Sequence, residues 1–343
     1  MISMELEQLL HELCDINGAS GDEGRVRDYI IDKIKDHCEY TVNPLGCIIA
    51  HKKGRKRAKN KVMLSAHMDE VGLIATYIEP DGSLSVASVG GVDADVIAGR
   101  QITVRGISGV IGVPAIHNLS EDERKKKLTF DMLYADIGAA DRNEAAEYVD
   151  PGDYIYFVNN YSRSEDGFIT AKAIDDRLGC AVMIKMITED LPEYDCIFAF
   201  VTQEEVGLRG SRTAAYTADP DIAIVLEATT ASDTPLAEGG KKCCICGEGA
   251  VVSFMDRSTI YDRELYDIAF SEAKKNNIPC QTKTMVAGGN DSGAIHLTRG
   301  GIRTAAISLP CRYLHSPSST AKLSDADACL KLAVIMADRC ASL

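Results

Sequence analysis

The chain has 343 residues, 45% hydrophobic and 26% charged, enough to bury one large core or two smaller ones. A formal net charge of -14 argues against a general nucleic-acid surface. No apolar run is long enough to span a bilayer, the first residues lack a basic flank and an apolar signal core, and the 12 cysteines are scattered, so a cytoplasmic, reducing location is expected.

Leu6, Leu9, Leu10 and Leu13 follow helical spacing and predict an amphipathic helix. Residues 17–21 break it, and Ser20 is placed to cap a second helix, with Glu23 completing a capping box. Short strands are expected at 41–42 and 47–50. The basic run 52–61 reads as an exposed hairpin loop, too short for a nucleic-acid role in so acidic a chain. Residues 62–66 form an apolar strand that runs directly into His67-Met68-Asp69-Glu70.

From 71 to 164 the texture changes. Short alternating segments at 73–78, 84–89, 101–104, 110–113 and 154–158 are separated by turn signals such as Asp81-Gly82, Gly90-Gly91 and Pro151-Gly152. They predict a small β-rich, barrel-like insertion. The charged run 121–127 reads as a solvated loop.

After Asp166-Gly167 strands and helices alternate. Strands are expected at 168–171, 196–201, 222–226, 281–285 and 303–309. Helices are expected after Arg177, from about 211, at 264–275, after the turn 288–293, and at the C-terminus, where Ser324 is the cap. Cys243-Cys244-Ile245-Cys246 has no partner cluster to complete a metal site and reads as a partly buried strand. The expected fold is α/β, a mixed, mainly parallel sheet covered by helices. Residues 1–70 and 165–343 would form the main domain, interrupted by the β insertion at 71–164.

Potential metal ligands stand at or just beyond the ends of five apolar strands: His67, Asp175, the pair Glu204-Glu205, Glu227 and His315. In open α/β sheets the carboxyl ends of the strands face one crevice. A Glu pair alone reads as a solvated loop, and a lone His as structural. Their recurrence at one edge points instead to His and carboxylate ligands suited to Zn, Co or Mn. Five ligands exceed the needs of one catalytic ion but suit two, if one carboxylate bridges. Such a pair can hold a hydroxide and polarise a carbonyl. Glu204 and Glu205 can divide the roles of ligand and general base, and Asp69 can orient His67 by accepting its other ring N–H.

With His67-Met68-Asp69-Glu70, these motifs complete a pattern: Ala171-Lys172-Ala173-Ile174-Asp175-Asp176-Arg177, Gln203-Glu204-Glu205-Val206-Gly207, Gly288-Gly289-Asn290-Asp291 and Arg312-Tyr313-Leu314-His315-Ser316. Over nearly its whole length the sequence resembles the M42 family of metallo-aminopeptidases. The resemblance implies a phosphorylase/hydrolase-like fold of the dinuclear metallopeptidase type. It implies two divalent ions, Zn first and Co or Mn next, one held by His67, Asp175 and Glu227 and the other by Asp175, Glu205 and His315. Asp175 would bridge, in preference to Asp176, across a cis Asp175–Asp176 peptide. Glu204 would be the general base and acid, using a metal-bridged hydroxide on peptides with a free N-terminus, and Asp69 would support His67. The insertion would serve dimerisation or oligomerisation in a homo-oligomer, commonly a tetrahedral dodecamer. This chain departs from the family at Glu227, where many members have Asp, and at Ser318-Ser319, where many have Val-Glu.

Two other functions fit the same residues. A related dinuclear deacylase or carboxypeptidase would need a cationic carboxylate receptor, for which Arg312 is the nearest candidate, although it reads as structural. A non-catalytic assembly or carbohydrate-binding protein would carry a relict site. Asp291 is expected to hold the turn at 288–293, with a share in shaping the pocket for the α-amine as the alternative. His117 and His296 read as structural or solvated.

Overall fold

In the computed structural model, residues 4–122, 125–235 and 237–343 are described. Helices α1 (Met4–Asp15) and α2 (Gly24–Ile34) precede strands β1 (Glu39–Val42), β2 (Ile48–Lys52) and β3 (Val62–His67). Next come β4 (Gly72–Ile78), β5 (Leu84–Val89), α3 (Ala94–Ile97), β6 (Gln101–Val104), β7 (Ile107–Gly112), β8 (Tyr134–Asp136), α4 (Arg142–Ala146) and β9 (Tyr154–Phe157). Then follow β10 (Ser162–Arg163), β11 (Phe168–Ala171), α5 (Ile174–Thr188), β12 (Cys196–Val201), α6 (Arg209–Ala218) and β13 (Ile222–Thr230). The chain ends with β14 (Ala250–Val252), α7 (Arg263–Lys275), β15 (Cys280–Thr282), α8 (Ser292–Ile295), β16 (Arg303–Arg312), β17 (Ser319–Lys322) and α9 (Leu323–Ser342).

The main sheet runs β1-β2-β12-β3-β13-β16-β17-β11-β10, with β14 and β15 joined to β16. Its centre, β12-β3-β13-β16, is parallel, and the flanking pairs are antiparallel. The central strands are buried at nearly every position because helices cover both faces. In β12, Cys196, Phe198 and Phe200 join the core beneath α1, α2, α5 and α9, while Ile197, Ala199 and Val201 join the core beneath α6 and α8. That two-residue alternation is the pleat of a strand packed on both sides. Full burial of each Phe stabilises the fold by roughly 1.5–3 kcal/mol.

The insertion is a closed six-stranded barrel, β4-β5-β8-β7-β6-β9. Leu73, Ile97, Ile102, Val104, Ala135 and Ile155 fill its interior. No helix among the described residues is long and apolar enough to cross a membrane.

Several local expectations are corrected. Ser20 does not cap α2. Its hydroxyl donates to Asp69 Oδ2 at 2.6 Å, and Glu23 occupies the cap position without a capping bond, its carboxylate accepting instead from Gly21 N and Gln203 N. Residues 52–61 do not close a hairpin, because β12 lies between β2 and β3. Ser324 lies inside α9, whose cap position is Lys322. The three cysteines of 243–246 are buried, but the stretch forms no strand, and β15 ends at Thr282. Strand β13 continues past its apolar run to Thr230, so Glu227 lies within it. Part of the 121–127 run, residues 123–124, lies outside the described residues.

Candidate active site

The parallel register brings strand ends together. His67 closes β3 and lies level with Val201, the last residue of β12. Glu204 and Glu205 follow in the next turn. Glu227 lies level with Ser308 across the β13–β16 ladder, and His315 follows the end of β16. Asp175 is contributed by the start of α5, where residues 175 and 176 are non-helical and their peptide is cis.

These side chains converge. His67 Nε2 is 3.2 Å from Asp175 Oδ1 and 3.4 Å from Glu227 Oε1. His315 Nε2 is 3.5 Å from Asp175 Oδ2 and 3.3 Å from Glu205 Oε2. Asp175 thus presents one oxygen to each histidine. A cavity of about 270 Å³ opens here, lined by Asp175, Glu204, Glu227 and His315 on one side and by Cys243 and Lys283 among others. The Glu204 carboxylate lines the cavity and is held by no hydrogen bond or ion pair among the described residues.

Asp69 acts differently from its expected role. His67 Nδ1 meets the backbone carbonyl of Asp69 at 3.0 Å, while the carboxylate stands off at 3.6 Å. That carboxylate instead accepts from Ser20 Oγ and from the backbone N–H groups of Glu204, at 3.0 Å, and Glu205, at 3.1 Å. It therefore fixes the Glu204–Glu205 turn against β3. Beneath it, Glu70 Oε1 accepts from Lys172 Nζ at 2.8 Å and from Gly18 N at 3.0 Å, with Arg177 Nη2 at 3.6 Å.

Burial and mutual repulsion shape the electrostatics. Burial, aided by Asp175, pushes Glu227 well above the carboxylate range, and burial with Asp291 and Glu205 does the same for Glu204. Burial also lifts Glu205 to about 7 and Asp291 to about 6. The Asp175 hydrogen bond raises His315 to about 9. Burial opposes charge on His67, yet Glu227 and Asp175 outweigh it and raise its pKa. On Asp175, hydrogen bonds from His315 and His67 overcome burial and hold its pKa low. On the cavity wall, the hydrogen bond with Cys244 and the charge of Lys283 hold Cys243 down at about 6.

The donors fit divalent cations. His67, Asp175 and Glu205 offer ligand atoms within 4.8 Å of one another, as do His67, Asp176 and Glu227. Asp176, set aside from sequence in favour of Asp175, accepts from Gly179 N through Oδ1, while its buried Oδ2 has no partner. Imidazoles and carboxylates without thiolate suit Zn, Co or Mn.

Arg312 does not line the cavity. It forks onto Asp233 at 2.7 and 2.8 Å, a structural pairing. His117 is exposed on the insertion, and His296 Nδ1 meets Ser292 O at 2.6 Å. Asp291 is fully buried and neither carboxylate oxygen has a hydrogen-bond partner. The Gly90-Gly91 turn also brings the barrel against the site, a contact that sequence reasoning missed. A Cβ on Gly91 would stand 3.1 Å from His315 Nδ1, and one on Gly90 3.1 Å from Glu205 Cβ, with Gly90 at φ +89°. The paired glycines were the available signal, read only as a turn.

A family profile described as M42 glutamyl aminopeptidase matches residues 46–332. A protein of Acetivibrio thermocellus, provisionally named an aminopeptidase, is 42% identical over 332 residues, covering 96% of this chain and 98% of its own. The lysyl aminopeptidase of Pyrococcus furiosus is 33% identical over 337 residues, covering 95% of both chains. Among solved structures, the Pyrococcus horikoshii TET1 peptidase, which can assemble into a tetrahedron or a large octahedral shell, is 33% identical. It superimposes with a TM-score of 0.85 over 97% of this chain and 99% of its own.

Proposed function

The chain belongs to the M42 glutamyl aminopeptidase family of peptide hydrolases, and from that membership we propose that it is a dinuclear metal-dependent aminopeptidase releasing N-terminal residues from peptides. The observation that carries this reading is Asp175, whose two oxygens face His67 and His315 separately. We assign His67, Asp175 and Glu227 to one ion and Asp175, Glu205 and His315 to the other, with Zn the expected metal and Co or Mn fitting the same donors. When bound, the ions would supply Lewis acidity and lower the pKa of water.

The chain's own groups supply the remainder. Glu204, unengaged at the cavity wall, takes the proton of the attacking water and returns it to the leaving amine. Asp69 holds the backbone of Glu204 and Glu205, so the base and the adjacent ligand keep a fixed spacing. The Asp69 carbonyl fixes the orientation of the His67 ring, leaving Nε2 toward Asp175 and Glu227. The acidic wall favours a substrate with a free, cationic α-amine. Arg312, the candidate from sequence for the carboxylate receptor of a carboxypeptidase, is paired with Asp233 and does not line the cavity.

The barrel at 71–164 is assigned to subunit assembly, by likeness to a peptidase that forms closed shells. Free thiols at all 12 cysteines support a reducing, cytoplasmic setting. The decisive experiment compares aminoacyl-anilides with their N-acetylated forms on protein loaded with Zn or Co. Hydrolysis of the free amines alone is expected, and hydrolysis of only the blocked forms would replace this reading with a deacylase.

A further inference from the structure

Family membership leaves the released residue open, since the family is described as glutamyl while the Pyrococcus furiosus relative is a lysyl aminopeptidase. The cavity wall bears on that choice. Among the described residues lining it, Lys283 is the one lysine or arginine. It follows the end of β15 and is only 9% exposed. Its Nζ donates to the carbonyl of Ala287 at 2.8 Å, and no described carboxylate lies within ion-pair distance. An ammonium has three donors, so two remain for a ligand. Burying a cation without a carboxylate partner is costly. The other buried lysines among the described residues are paired: Lys52 with Asp190, Lys172 with Glu70, and Lys185 with Glu189.

We propose that Lys283 is the specificity residue of this cavity, receiving the side-chain carboxylate of an N-terminal Glu or Asp. The assignment rests on the aminopeptidase reading above. A carboxylate meets the ammonium with two acceptor oxygens and a full charge, where the neighbouring Cys243 offers a single sulfur. An N-terminal Lys or Arg would set a second cation against the first, and a large apolar residue would seal Lys283 away without an anion. Ser232 and Thr230 add hydroxyls to the same wall. The C-terminus of a dipeptide also carries a carboxylate, so the test must separate the two sources.

The experiment measures kcat/KM for Glu-, Gln-, Leu- and Lys-anilides, and for Leu-Gly beside Leu-Gly amide, on metal-loaded wild type, Lys283→Met and Lys283→Arg. Glu and Gln have nearly the same shape, so their ratio isolates the charge. Wild type is expected to favour Glu over Gln by about tenfold to a hundredfold, the size of a charge-assisted hydrogen bond. Lys283→Met should bring the ratio close to one, and Lys283→Arg should keep most of it. Loss of the Ala287 hydrogen bond alone would lower all substrates together and leave the ratio unmoved. A ratio near one in wild type, or one that survives Lys283→Met, overturns the assignment while leaving the aminopeptidase reading intact. A preference for Leu-Gly over its amide that vanishes in Lys283→Met, with the Glu:Gln ratio unchanged, also overturns it and places recognition at the C-terminus. Hydrolysis of none of these substrates overturns both readings.

Discussion

The barrel and the carboxyl ends of the main sheet obey opposite rules. The barrel interior is wholly apolar: none of the buried polar side chains among the described residues lies between Gly72 and Phe157. Closure removes its sheet edges, and its strands need nothing beyond alternation and turns. At the strand ends of the main sheet, His67, Asp69, Asp176, Glu227 and Asp291 are all buried. The backbone there is strained as well. Ala173, Gln203, Leu208, Tyr313 and His315 take left-handed conformations, whereas Arg105 is the only non-glycine residue of the barrel to do so among the described residues. Strain and buried charge persist where surrounding structure over-determines them, and they collect at functional sites. The barrel is built for stability and the crevice for chemistry, and the barrel reaches the metal-site side chains where Gly90 and Gly91 stand against Glu205 and His315.

The sharpest way to break this contrast is Glu204→Gln. Loss of the general base is expected to lower kcat by about 10²–10⁴-fold. Metal content by elemental analysis should match wild type, because Glu204 is not assigned as a ligand. Unchanged turnover would remove Glu204 from its role.

Next in size is a paired substitution on either side of the boundary. Glu70→Ala strands Lys172 without its buried partner and should cost roughly 3–5 kcal/mol in urea unfolding. Leu73→Ala, three residues on, opens a void in the barrel and should cost roughly 2–5 kcal/mol. The stability losses overlap, so activity per folded molecule separates them. Glu70→Ala should lower it, because Glu70 braces Gly18 and the start of α5 beneath the site. Leu73→Ala should not. Equal loss of kcat in both would show that barrel and crevice are one mechanical unit.

What could be read from sequence follows the same division. Apolar runs announced the central strands because burial on both faces leaves no room for polar residues, and the ligand types at their ends were visible as interruptions. Glu227 was placed after its strand because the apolar run stops at Leu226, whereas ladder pairing with β16 carries β13 on through Thr229 and Thr230. Strand β8, three residues long with no clear alternation, was missed inside the barrel. Ser20 has the local pattern of a cap, but a carboxylate 49 positions away takes its hydroxyl. Lys283 looked like one residue of a strand, since nothing local marks a cation whose acidic partners are all elsewhere. Contacts made by tertiary approach leave no periodic trace.

The smallest effect expected is a pH dependence of melting in metal-stripped protein, and it centres on the crevice. Burial raises Glu205 to about 7 and Asp291 to about 6, and Asp175 raises His315 to about 9. Each group binds its proton more tightly when folded, so its contribution is complete below the unfolded pKa and is lost as pH rises through the folded one. Asp175 and Asp69 are shifted down, and their contributions fade only in acid, below this window. In the barrel, the lowered Asp81 and Asp93 and the raised Lys127 also titrate outside it. Cys243, held down at about 6 on the same cavity wall, works the other way and gains as pH rises from there towards 9, but it is one lowered group against three raised ones. The sum still falls, and between pH 5 and 9 the melting temperature should drop by about 3–8 °C as pH rises. Zn or Co binds the deprotonated groups, so its stabilising effect should be larger at pH 8 than at pH 5. A melting temperature that climbs with pH in the stripped protein would mean that these carboxylates do not share one buried crevice.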